Sequence, residues 1–179
     1  MSQVIIKRSV QLMTISDDGM KFIQEKEAGK FNIKHYNPAT EEFEAYLDSA
    51  NIPTIGYGHT KDVKLEDKMS KQQAEQLFKA EIHSHCSGIH KYITADITQN
   101  QYDALASLTY NAGPNFLQGK KLTQNINAGK DVEAAKEFLD INKITNTKVQ
   151  KEYSRGLQMR RYEESVRFLR DHNQNDPQI

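Results

Sequence analysis

A chain of 179 residues with 37% hydrophobic and 27% charged residues can build a real core and is not disordered by composition. Its 24 basic and 24 acidic residues cancel, so net charge names no partner, and no run approaches the roughly 18 consecutive apolar residues of a membrane-spanning helix. A lone cysteine, Cys86, excludes an internal disulfide.

The segment Met1–Met13 carries Lys7 and Arg8 but no apolar block followed by a small-residue cleavage site, so no secretory signal is expected. Ser16-Asp17-Asp18 offers an N-cap. Met20, Ile23 and Glu27 then fall on one helical face, with Gly29 as the stop. From about Phe31 to Tyr57 the pattern changes. Phe43, Ala45 and Leu47 alternate with Glu44, Tyr46 and Asp48, and Ile55 and Tyr57 alternate with Thr54, Gly56 and Gly58. Period two predicts strands, and Ser49-Ala-Asn-Ile-Pro53 between them predicts a hairpin connection centred near Asn51. Pro38 lies in the same stretch. Helical patterns return at Ser70-Lys-Gln-Gln73, a capping-box sequence, and again at Thr98-Gln-Asn-Gln101 before Tyr102, Leu105 and Leu108. Gly113-Pro114 ends that segment. Further helices are expected near Leu122–Ala128, Val132–Ile141 and Arg155–Arg170, the last with Tyr162, Val166 and Leu169 on its inner stripe.

Cleavage of a glycosidic bond usually needs two carboxyl groups, one to protonate the leaving oxygen and one that stays ionised. Glu27 suits the first role, because an apolar helix face and the negative end of the helix dipole both favour an uncharged carboxyl group. Asp48 and Thr54 lie symmetrically about Asn51 and would face each other across the hairpin, able to hold one water between them. Gly56 and Gly58 would let a substrate chain approach the backbone.

Five motifs in order carry a resemblance. They are Phe22-Ile-Gln-Glu-Lys-Glu27, Ala45-Tyr-Leu-Asp-Ser-Ala50, Thr54-Ile-Gly-Tyr-Gly-His-Thr60, Thr98 to Gly113, and Gly156-Leu-Gln-Met-Arg-Arg161. Together the chain resembles the phage-type lysozyme and endolysin family over about Ser16–Leu169. The resemblance implies an α+β, mostly helical, lysozyme-like two-lobed fold with a long connecting helix. That gives a single domain over 1–179, with a β-containing lobe at about 30–70 and helical parts at 14–29 and 71–171. It implies hydrolysis of bacterial peptidoglycan between N-acetylmuramic acid and N-acetylglucosamine, with no cofactor or metal. Carried over by position, Glu27 is the acid, Asp48 the second carboxylate and Thr54 the water-positioning hydroxyl. Gly58, Thr60, Tyr110 and Asn111 then line the sugar groove, and His59 pairs with Glu81 in a structural role. The implied protein is a monomer that waits in the host bacterial cytoplasm until it reaches the wall. An inverting course is expected.

The sequence departs from the family in one place. Twenty residues separate Glu27 from Asp48, where the family has a shorter spacer, and the extra length falls in Lys30–Glu44. It could loop outward, cover the groove or supply another acid. The five residues between Asp48 and Thr54 keep the family spacing.

Other features have plainer readings. From Lys143 to Asp171 eight basic residues stand against four acids, which suits a solvated helix face or attraction to an anionic wall polymer. Arg160 and Arg161 could bind that polymer or stabilise the last helix. Nucleic acid is not expected, because no compact basic run is interleaved with aromatics. His83, Cys86 and His90 share a helix face but offer no fourth ligand, so an incidental grouping is favoured over a metal site. Nothing places a base beside Cys86. Two other functions stay open: a lytic transglycosylase that dispenses with Asp48, and a non-catalytic wall-binding module.

Overall fold

A computed structural model describes residues 5–28, 35–48, 50–141, 143–145, 151–153 and 155–172. It is mostly helical, with three small antiparallel sheets, and divides into two compact units, Met20–Ile82 and Met1–Gly19 with His83–Ile179. The expected stop at Gly29 lies outside the described residues.

In the first unit, helix α1 (Asp17–Ala28) leads to five short strands and then to α2 (Lys71–His85). Ser16 caps α1, its hydroxyl oxygen accepting from the Gly19 amide at 2.9 Å. Strands β1 (Tyr36–Asn37), β2 (Glu42–Glu44) and β5 (Lys68–Ser70) form one sheet in the order β1-β2-β5. The added length before Asp48 is therefore used in part to build the first two strands of that sheet. The rings of Tyr36, Phe43, Tyr57 and Phe78 follow one another at 4.8, 5.4 and 5.2 Å and form its apolar side. Strands β3 (Tyr46–Leu47) and β4 (Pro53–Thr54) make a separate hairpin. The expected single strand over 43–48 is thus two strands in two sheets, broken at Ala45, whose amide donates to Asp67 instead. The expected strand at 55–57 is a turn. Gly56 and Gly58 take φ of +61° and +95°, while Ile55 and His59 exchange backbone hydrogen bonds at 2.9 and 3.0 Å. At the start of α2, Ser70 and Gln73 form the predicted reciprocal cap.

The second unit centres on α4 (Gln99–Ala112), with α3 (Ser87–Tyr92), α5 (Lys121–Asn127), α6 (Asp131–Leu139), the hairpin β6 (Lys143–Thr145) with β7 (Lys151–Tyr153), and α7 (Arg155–Phe168). Thr98 and Gln101 form the predicted capping box, and Tyr102, Leu105 and Leu108 are core residues. Gly88 allows α3 to touch the loop after α4, since a Cβ there would sit 1.7 Å from the Pro114 carbonyl oxygen.

Helix α7 corrects the expected inner stripe. Tyr162 and Val166 are exposed, whereas Arg160, Arg161, Glu164, Arg167 and Phe168 are buried. The charged face turns inward because its charges are satisfied there. Arg160 donates to Glu164 at 3.1 Å, Arg161 donates to both Glu164 and Asn111, and Ser107 donates to Glu164 at 2.6 Å. Arg160 and Arg161 thus stabilise the last helix as part of a buried ionic cluster, while Arg155 and Arg170 are exposed.

Candidate active site

Three sequence-predicted residues, Glu27, Asp48 and Thr54, fall in the unit Met20–Ile82. Glu27 lies in the last turn of α1 and is 5% exposed, one turn beyond the fully buried Ile23. Its burial follows from the helical spacing that placed it on the apolar face.

Asp48 opens the β3–β4 turn. One carboxylate oxygen, Oδ1, accepts from the amides of Ala50 at 2.8 Å and Ile52 at 2.9 Å. Oδ2 accepts nothing from the described residues. These two amide bonds explain a correction to the register. Tyr46 pairs with Thr54 and Leu47 with Pro53, so the turn centres on Ala50 rather than Asn51, which takes φ of +61°. Asp48 and Thr54 do not face each other. They share one face of the hairpin as diagonal neighbours, a spacing of roughly 7–8 Å in such a ladder. The residue directly opposite Thr54 is Tyr46, which the sequence reading did not single out. Its position two residues before Asp48, on the same strand face, was the available signal.

The Thr54 side chain is buried, and its hydroxyl donates to the Ile52 carbonyl at 2.9 Å. With its proton committed, the oxygen can serve a further partner only as acceptor. In the next turn, Gly56 does not lie open to a substrate. Its Cα faces α2, where a Cβ would meet that of Ala74 at 3.2 Å. Gly58 is half-buried and Thr60 exposed. His59 Nδ1 donates to Glu81 Oε1 at 2.5 Å, which ties this turn to α2.

The remaining sugar-groove candidates, Tyr110 and Asn111, lie at the end of α4 in the other unit. The ring of Tyr110 packs against His85 at 5.2 Å, and the Asn111 side-chain oxygen accepts from Arg161.

His90 Nε2 bonds the Tyr102 hydroxyl at 2.9 Å, and the buried Cys86 thiol bonds the same hydroxyl. Among the described residues no three His, Cys, Asp or Glu side chains form a metal-ligand group. Burial pushes the Cys86 thiol up to about 11, with Asp103 adding to the rise and the Tyr102 bond opposing it. A mass-spectrometric count of adducts after iodoacetamide treatment in mildly alkaline buffer should therefore find Cys86 unmodified in the folded protein and labelled in denaturant. Rapid labelling of the folded chain would contradict its burial.

Comparison with known proteins gives a consistent picture. A family model described as Phage lysozyme matches residues 39–164. An endolysin of Bacillus phage B103 is 39% identical over 123 residues, 68% of this chain and 45% of that one. An endolysin of Acyrthosiphon pisum secondary endosymbiont phage 1 is 32% identical over 117 residues, 65% of this chain and 79% of that one. The chain spans less than half the length of two Bacillus phage relatives, 45% and 43%. Among solved structures, the endolysin from Escherichia coli O157:H7 phage FAHEc1 superposes with a TM-score of 0.76 at 34% identity, covering 92% of this chain and 96% of that one. No helix of the described residues is long and apolar enough to cross a membrane.

Proposed function

Because the chain belongs to the phage lysozyme family, we propose that it hydrolyses the β-1,4 bond between N-acetylmuramic acid and N-acetylglucosamine in bacterial peptidoglycan, using Glu27, Asp48 and Thr54. The similarity to proteins named endolysins supports the substrate. The observation that carries the mechanism is the division of labour in the hairpin. Asp48 holds its turn with one oxygen and accepts nothing from the described residues with the other, while the Thr54 oxygen can only accept.

A water between them must donate one hydrogen to Thr54 Oγ1 and the other to Asp48 Oδ2. One of its two lone pairs then points at the anomeric carbon. As the water attacks, Asp48 takes its proton and acts as general base. Glu27 gives its proton to the departing sugar oxygen, so the bond breaks without expelling an alkoxide. A water delivered in this way gives the inverting course.

The test separates these roles. Asp48→Asn keeps an oxygen for the two turn amides but cannot take a proton, and should lower kcat on purified peptidoglycan by about 10²–10⁴-fold. Thr54→Val should lower it by about tenfold, the loss of one hydrogen bond in the transition state, and Thr54→Ser should keep most of the activity. Near-full activity in Asp48→Asn would move the base elsewhere and favour a transglycosylase.

A further inference from the structure

The segment ahead of the matched family range places one ring against the hairpin. His35 stacks on Tyr46 with ring centroids 4.2 Å apart and planes within 7° of parallel. Both residues are half-buried. The Glu44 carboxylate is drawn below its ordinary value by Lys68, at 2.8 Å, and more weakly by His35. His35 thus stacks on the ring of Tyr46 and lies close enough to Glu44 to favour its charged form. Tyr46 is the cross-strand partner of Thr54 and lies two residues before Asp48, so Tyr46, Asp48 and Thr54 share one face of the hairpin. Burial, and then the negative charge of Asp48, raise the Tyr46 phenol above its ordinary value. Its hydroxyl therefore stays protonated, a donor within the electrostatic reach of the Asp48 carboxylate.

We infer that His35 and Tyr46 form a positioning pair for the water at Asp48: the imidazole fixes the Tyr46 ring by stacking, and the Tyr46 hydroxyl donates toward Asp48 or its water. This rests on the hydrolase reading above. It assigns a role to part of the Lys30–Glu44 length that lies before residue 39, where the family match begins. Neither residue touches the sugar in this account, so their loss acts on turnover and not on substrate binding.

The experiment measures kcat and KM on purified peptidoglycan for wild type, Tyr46→Phe, His35→Ala and His35→Phe, with a melting curve for each. Tyr46→Phe keeps the ring and removes the hydroxyl. It should lose about tenfold in kcat at nearly constant KM, the signature of one hydrogen bond made in the transition state. His35→Ala should show the same split, and His35→Phe, which restores a stacking ring, should recover most of the loss. If His35→Ala fails to fold, Tyr46→Phe decides. Unchanged kcat in Tyr46→Phe overturns the inference, as does a change in KM alone or a failure of His35→Phe to rescue. A wild type that releases no glycan fragments sinks the hydrolase reading and the inference together. An active wild type matched by an equally active Tyr46→Phe sinks the inference alone.

Discussion

Glu27→Gln should abolish most turnover, by about 10²–10⁴-fold, while the protein still folds and still binds peptidoglycan. The substitution preserves the shape of a side chain that is only 5% exposed, so packing around it changes little. What it removes is the transferable proton. Without that proton the sugar oxygen must leave as an alkoxide, and in the proposed mechanism the carboxylate at Asp48 cannot compensate, because its role there is on the attacking water. The effect should therefore fall on kcat, with KM little changed. Pull-down of the variant on insoluble peptidoglycan, its melting temperature and its kcat together check this. Activity within about tenfold of wild type would remove Glu27 from the acid role.

The largest stability effect is expected at Glu164. This carboxylate is fully buried and accepts from Arg160, Arg161 and Ser107. Glu164→Ala leaves two buried guanidinium groups without that counter-charge and should cost about 3–5 kcal/mol. For a chain of this size each kcal/mol shifts the melting temperature by about 2–4 °C, so the midpoint should fall by roughly 6–20 °C. Replacing Arg160, Arg161 and Glu164 together by apolar residues of similar volume should recover much of this, since no buried charge is then left uncompensated. A melting temperature of Glu164→Ala within about 3 °C of wild type would show that the cluster contributes little.

The contrast between α4 and α7 shows what the sequence could reveal. Thr98, Gln101, Tyr102 and Leu105 were legible because caps and apolar spacing act within a turn or two of helix. Helix α7 was misread because its orientation is decided by partners far along the chain. Ser107 and Asn111 on α4, 57 and 50 residues from Glu164 and Arg161, make it favourable to bury charge and leave Tyr162 and Val166 outside. The fold class followed from motifs in order. The register of the hairpin did not, because the two amides captured by Asp48 shift the turn by one residue. Tyr46 escaped notice because a single tyrosine in an alternating run looks like packing. Its stacking partner, His35, lies in a segment for which the resemblance offered no template.

A water held at Asp48 and Thr54, as proposed, leaves its atoms in the product. Mass spectrometry of fragments released from purified peptidoglycan should find N-acetylmuramic acid ends that have each gained one water. Fragments ending in anhydro-sugars, or none released at all, would contradict it.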